Sequence, residues 1–330
     1  MKFYFIAILF IALSSCKSKQ VGKNIGEVER IDTSLNAIIA TSAKAEVIAE
    51  GFVWSEGPLW IEKTQSLLFS DIPQNKIYKW TAEKGKELYL TPSGYTGQNK
   101  RSGYLGSNAL ILDADGALVI CQHGNRQIVK MKNPIAHPSA DFLNLVSMYN
   151  GKKINSPNDA VFNREGELFF TDPPYGLLKG NADVDKEIGF NGVYKVKKNG
   201  TVILLIDSLP TPNGIAFFPG EKKILISCTD AAKPNWYEYD IKGDSLTNGK
   251  LFYSTNGVTN GKNGPDGLKI DNNGNVFAAG PGGIWIFNID GKLLGKLLLP
   301  DAVSNCALSA DEKTLFITNG SLVLKFKMRD

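Results

Sequence analysis

Six stretches of the chain repeat one short pattern at intervals of about fifty residues, and this repetition narrows the possible folds more than any other feature. The stretches begin SEGPLW at Ser55, SNALIL at Ser107, PNDAVF at Pro157, PNGIAF at Pro212, PDGLKI at Pro265 and SNCALS at Ser304. The second residue of each carries a side-chain oxygen: Glu56, Asn108, Asn158, Asn213, Asp266 and Asn305, at spacings of 52, 50, 55, 53 and 39. Seven residues later, every copy but the first reaches a turn residue: Asp115, Glu165, Gly220, Asn273 or Glu312. An apolar run follows in every copy: LLFSD from Leu67, LVICQ from Leu118, LFFTD from Leu168, ILISC from Ile224, VFAAG from Val276 and LFITN from Leu315. Several copies add a third run, such as KIYKW at Lys76, GVYKV at Gly192, WYEYD at Trp236 and GIWIF at Gly283.

A unit of this length with three or four short strands is a propeller blade, and six units predict an all-β, six-bladed β-propeller. The 33 Gly and 15 Pro supply the turns, and no long stretch has the 3.6-residue period of a helix. A pair of β-sandwiches would not place the same polar side chain at the same point of six units. Little chain follows LVLKF in the last copy, so the strand AEVIA around Ala45 to Ala49 is expected to complete its sheet and close the ring. The propeller is expected to span residues 43–330 as one domain.

Ahead of it, Met1 to Cys16 reads MKFYFIAILFIALSSC: one Lys, an apolar run from Phe3 to Leu13, then small residues and a cysteine. The run is shorter than the roughly 17 to 25 residues of a spanning helix, so residues 1–16 read as an export signal. Leu13-Ser14-Ser15-Cys16 resembles a bacterial lipobox, with Cys16 as the lipidation site; the alternative is a plain secretory signal with an incidental cysteine. Residues 17–42 are expected to form a tether. The expected product is an exported lipoprotein held to a membrane of the bacterial cell envelope, periplasmic or on the outer-membrane side.

The remaining cysteines, Cys121, Cys228 and Cys306, are odd in number and lack a CxxC pair, so neither a disulfide framework nor a zinc site is indicated. With only His123 and His137, mechanisms needing several histidines are excluded. The net charge of +4 comes from scattered Lys and Arg, which leaves no nucleic-acid footprint. A monomer is expected.

In a propeller the innermost strands line the central channel, so a side chain repeated at their start recurs around the axis at one level. The six repeated residues then form a ring with two carboxylates and four amides. Asn or Asp before Gly also makes turns, which accounts for PNG and PDG singly but not for Glu56. Oxygen donors of this kind suit a hard divalent cation, calcium foremost, with zinc, magnesium or manganese also admissible. Asp113–Gly116 and Asp271–Gly274 look like fragments of a calcium loop but read as hairpin turns.

At these residues the chain resembles the family of gluconolactonase, regucalcin (senescence marker protein) and related sugar-lactone hydrolases, from about Gly51 to Thr318. The marks are SEGPLW at Ser55, PSGYTG at Pro92, CQHGNRQI at Cys121, NSPNDAVF at Asn155, TDPPYGL at Thr171, TPNGIAF at Thr211 and GPDGLKID at Gly264. The QHG and TDPPYG pieces look like the bacterial gluconolactonase branch. The resemblance implies that Glu56, Asn213 and Asp266 hold the metal, with Asn158 at the metal or against the sugar, and that Asp266 donates and accepts protons. Asn108, Asn158 and Tyr175 are expected on the substrate side. The animal branch carries an arginine where this chain has Ser156, and many bacterial relatives read SNG where this chain reads Ser107-Asn108-Ala109.

Lactone hydrolysis needs a polarised carbonyl, an activated water and a stabilised oxyanion; one dication supplies the first and third. Asp266, Asp159 and His123 are the candidate bases. No GxSxG, GxGxxG, P-loop or HExxH motif occurs, which argues against a serine hydrolase, a nucleotide enzyme and a zincin. Three readings remain: a lactonase, a paraoxonase-like esterase or phosphotriesterase, and a non-catalytic envelope binding propeller.

Overall fold

A computed structural model describes residues 20–98, 101, 103–258 and 263–329. These form six antiparallel sheets set around an axis, each with its first strand innermost, and a two-stranded hairpin of Met148–Tyr149 and Lys152–Lys153 between blades 2 and 3. Blade 1 is Ser55–Ile61, Ser66–Asp71, Lys76–Thr81 and Gly85–Leu90, and blade 2 is Ser107–Leu112, Leu118–Gln122, Gln127–Met131 and Phe142–Val146. Blade 3 is Ala160–Phe162, Leu168–Asp172, Gly192–Val196 and Val202–Ile206, and blade 4 is Pro212–Phe217, Lys223–Cys228, Asn235–Lys242 and Ser245–Ser254. Blade 5 is Leu268–Ile270, Val276–Gly280, Gly283–Phe287 and Leu293–Leu298, and blade 6 begins Val303–Leu308, Thr314–Asn319 and Leu322–Lys327.

Each second strand is apolar on both faces because each blade packs between two others. In blade 1, Leu68 joins Leu110, Leu118 and Ile120 of blade 2, whereas Leu67 and Phe69 join Ala307, Phe316 and Val323 of blade 6. The same alternation gives one apolar cluster at each of the six blade interfaces. Cys121, Cys228 and Cys306 are free and buried, as small hydrophobes are.

The ring closes as the repeat predicts: Ala45–Glu50 pairs with Leu322–Lys327, with Ala49 opposite Val323. Residues 20–42, expected within a tether, instead belong to the propeller. Asn24–Ile25 adds a fifth strand to blade 6 beside Ala45–Glu46, and Glu27–Arg30 adds one to blade 5 beside Gly295–Leu298. Behind them the 3-10 turn Thr33–Ala37 is capped by Asp32, whose Oδ1 accepts from Ser34 N at 2.9 Å. It drives Leu35, with Ile39 just beyond, fully into the interface of blades 5 and 6. Its strands are only two and four residues long and it lacks the repeated blade pattern, which is why its sequence looks like linker. Cys16, the signal segment 1–16 and residues 17–19 lie outside the described residues. Among the described residues no helix is long and apolar enough to cross a membrane.

Candidate active site

The ring residues stand where consecutive inner strands come closest. Gly57 follows Glu56 and Gly214 follows Asn213; a Cβ on either would fall 2.1 Å from Asn108 O or 2.4 Å from Asp266 O. Hydroxyls on the second strands of blades 1, 3 and 4 then tie each of these blades to the next. Ser70 Oγ donates to Asn108 O at 2.9 Å, Thr171 Oγ1 to Asn213 O at 2.6 Å and Ser227 Oγ to Asp266 O at 2.8 Å. Each donor is the fourth residue of its apolar run, so this lattice was visible in LLFSD, LFFTD and ILISC; the sequence reading passed over it because a lone Ser or Thr in a strand carries no chemistry by itself.

Within this frame lies a cavity of about 490 Å³. Its floor is Glu56, Asn108, Asn158, Asn213 and Asp266, five of the six repeated residues, with His123 beside them. Trp54, Ile72, Tyr104, Tyr175 and Leu177 wall it, and no Lys or Arg is among its described lining residues. A wider groove of about 800 Å³ runs between blades 2 and 3 at the opposite ends of the strands, past the turn residues Asp113, Arg164 and Lys198. It gathers surface turns and no convergent buried polar groups, so the smaller cavity is the site.

Asn305, the sixth ring member, turns away from the cavity. Its Oδ1 accepts from Cys306 N at 2.8 Å and from Lys269 Nζ at 3.5 Å, and its presence beside Glu56 and Asp159 opposes the rise of both carboxyls. A Cβ on Gly267 would sit 2.0 Å from the Asn305 side chain, so only glycine admits this residue. Asp159 likewise lies off the cavity lining: its Oδ1 accepts from Ala160 N at 2.9 Å, and burial raises its carboxyl while Lys269 opposes the rise. Asp159 is thus buried beside the floor carboxylates without lining the cavity, and its Oδ2 has no hydrogen-bond partner. Lys269 and Asn305 were not singled out from the sequence for these roles, because only the ring geometry shows which amide faces inward.

The carboxylates of the floor strain against one another. Burial, with the charge of Asp159, lifts Glu56 to about 7, although Gly57 N donates to its Oε2 at 2.6 Å. Burial, and then the charge of Glu56, lifts Asp266 well above the usual carboxylate range. His123 goes the other way: burial lowers its imidazole to about 4, so it is neutral at ordinary pH. Its Nε2 is 3.3 Å from Asn108 Nδ2, which makes the ring nitrogen an acceptor for the amide. An imidazole so hard to protonate is a weak base and a good hydrogen-bonding partner. The Tyr175 phenol, raised to about 12 by burial, remains a donor.

Two acceptors on this floor lack partners. Asn213 gives its amide to Thr229 Oγ1 at 2.9 Å, which leaves Oδ1 buried and unbonded, and Asp266 accepts from Asn263 Nδ2 at 2.9 Å through Oδ2, which leaves Oδ1 in the same state. Unpaired buried acceptors beside two mutually repelling carboxyls are what a cation would relieve. The donors are all oxygen, two carboxylate and the rest amide, and they fit a hard divalent ion. Among the described residues no group of three or more His, Cys, Asp or Glu forms a candidate metal site, which leaves the amides to complete this one.

Known proteins resemble this chain over most of its length. The sequence profile of the SMP-30/gluconolactonase/LRE-like region matches residues 54–321. A gluconolactonase of Zymomonas mobilis is 35% identical over 96% of this chain and 90% of its own length. The structure of a gluconolactonase from Xanthomonas campestris superposes with a TM-score of 0.80 at 28% identity, covering 95% of this chain and all of that one. A diisopropyl-fluorophosphatase of Loligo vulgaris is 28% identical over 54% of this chain and 59% of its own length.

Proposed function

The chain belongs to the SMP-30/gluconolactonase/LRE-like family, and from that membership we propose that it hydrolyses a sugar lactone to the aldonic acid with a divalent cation in the floor of its cavity. The observation that carries the reading is the pairing of Glu56 with Asp266 beside the unpartnered oxygens of Asn213 and Asp266. Glu56, Asn158, Asn213 and Asp266 would hold the ion, calcium foremost, with zinc, magnesium and manganese as alternatives. When bound, such a cation polarises the lactone carbonyl and favours the negative charge that develops on its oxygen.

The remaining chemistry belongs to the chain's own groups. Asp266 takes a proton from the attacking water and returns it to the ring oxygen as the carbon–oxygen bond of the lactone breaks. Asn108, oriented by His123, and Tyr175 offer donors to the substrate's hydroxyls. Trp54, Ile72 and Leu177 keep bulk water from the reacting carbon. The direct test is turnover of aldonolactones, aryl esters and phosphotriesters, with chelator and with each metal restored. Hydrolysis of aldonolactones that chelator abolishes is expected. Preference for phosphotriesters would displace the lactonase reading, and inactivity on all three would favour a binding protein.

We also propose that the protein is exported and lipidated at Cys16, on the motif Leu13-Ser14-Ser15-Cys16. Radiolabelled palmitate incorporation lost in Cys16→Ala supports this, and an unmodified cysteine by mass spectrometry refutes it.

A further inference from the structure

Between the second and third strands of blade 3 the chain leaves the sheet for residues 173–191, a connection far longer than the two to five residues usual in a hairpin. This strap supplies Pro174, Tyr175, Leu177 and Asn181 to the cavity wall. Its internal structure is a run of turns around the 3-10 turn Gly180–Ala182, and Leu178 and Val184 are 65% and 90% exposed, so the strap has no apolar core of its own.

Its shape is imposed from outside. At the near end the buried Ser156 donates through Oγ to Pro173 O at 2.6 Å and accepts from Gly176 N at 2.8 Å. At the far end Arg126 Nη1 donates to Asp185 O at 2.7 Å. The same guanidinium reaches back to the blade 2–3 connection, Nε to Ile154 O at 2.9 Å and Asn155 O at 3.0 Å, and Nη2 to Lys153 O at 3.3 Å. From that connection Lys153 N donates to Glu187 Oε2 at 2.8 Å and Asn155 Nδ2 to Phe190 O at 3.0 Å. Only a planar fork with several N–H groups can join two segments through four carbonyls. Arg126 is itself buried at a φ of +59°, a region costly for a long side chain, in the tight turn that begins with His123. One turn thus carries both a residue of the cavity and the clamp on its wall.

We propose that the strap is the selectivity wall of the site and that Arg126 and Ser156 are the positioning residues that set it. The part of the proposal concerning substrate rests on the lactonase reading; the part concerning the clamp does not. Arg126→Asn removes the guanidinium while keeping a residue that tolerates left-handed backbone, Ser156→Ala removes the hydroxyl, and Arg126→Lys keeps the charge without the fork. Hydrogen–deuterium exchange should rise at least tenfold within 176–188 and stay unchanged in the six blades. For gluconolactone, KM should rise roughly tenfold in Arg126→Asn with kcat within about threefold, since misplaced contacts that bind ground and transition states alike change KM alone. For γ-butyrolactone, which carries no hydroxyl for Tyr175 to engage, KM should not move, and Arg126→Lys should recover part of the loss. Exchange that rises across all blades, or a strap unchanged in Arg126→Asn, overturns the clamp. A loosened strap with unaltered KM for gluconolactone overturns the selectivity role. Should the wild type turn over no lactone, the lactonase reading falls and the exchange data still decide the clamp.

Discussion

Glu56 contributes a full charge to the cavity floor, whereas Asn108 is engaged with His123, and the two should separate cleanly on mutation. Calorimetric titration with calcium should show Glu56→Gln losing far more affinity than Asn108→Ala. Because Glu56 titrates near 7, a protonated carboxyl must release its proton to bind the ion. Titrations near pH 6 in buffers of different ionisation enthalpy should therefore show proton release, which Glu56→Gln should reduce. Asp266→Asn should weaken binding too, and at saturating metal its turnover should stay down by roughly 10²- to 10⁴-fold, the contribution of a positioned base. Recovery of near-normal turnover in excess calcium would make Asp266 a ligand only. His123 carries the opposite sign of pH dependence. Its folded pKa lies near 4 against an ordinary 6.5, so the unfolded chain takes up the proton first. Its neutral form costs nothing above pH 6.5, and stability falls as pH drops from there toward 4, on the order of 2 kcal/mol by pH 5. Chemical denaturation at pH 7 and pH 5 should show a smaller loss for His123→Gln than for the wild type.

At the scale of strands, the ring is held by hydroxyls rather than by its own side chains. Thr171→Val keeps shape and volume but leaves Asn213 O buried without its donor, a loss of about 1–3 kcal/mol. Cation affinity should fall with it, since Asn213 is a proposed ligand; an unchanged calcium titration would show that the lattice serves stability alone. Much of this element level was legible in the chain. The six copies gave the blades and inner strands, and AEVIA was correctly seen as the closing strand. Five ring residues face one cavity, as the repeat requires. What escaped was direction: Asn305 repeats the pattern and points elsewhere, because Gly267 opens a niche that its amide fills and Lys269 draws its oxygen. Repetition fixes where a residue sits along the strand, while its rotamer follows from neighbours distant in sequence. The same holds for Asp159, adjacent to Asn158 in the chain and off the cavity lining.

For the whole molecule, the boundary at residue 43 was the principal misreading. Leu35 and Ile39 are fully buried between blades 5 and 6, and each such side chain contributes about 1.5–3 kcal/mol. A protein beginning at Ala43 should lose several kcal/mol relative to one beginning at Gln20, visible as an earlier urea midpoint. Equal midpoints would mean that Asn24–Arg30 decorates the ring without supporting it. The pairing of Ala49 with Val323 also bears on how the chain comes to be folded. Blade 6 draws its strands from the beginning and the end of the chain, and blade 5 borrows Glu27–Arg30 from the beginning. Until Leu322 has left the ribosome, Ala45–Glu50 has no neighbour on its inner side and the circle of blades stays open. Contacts so distant in sequence make folding slow and leave raw strand edges during the wait. A nascent chain in this condition remains threadable, which would suit the export proposed above.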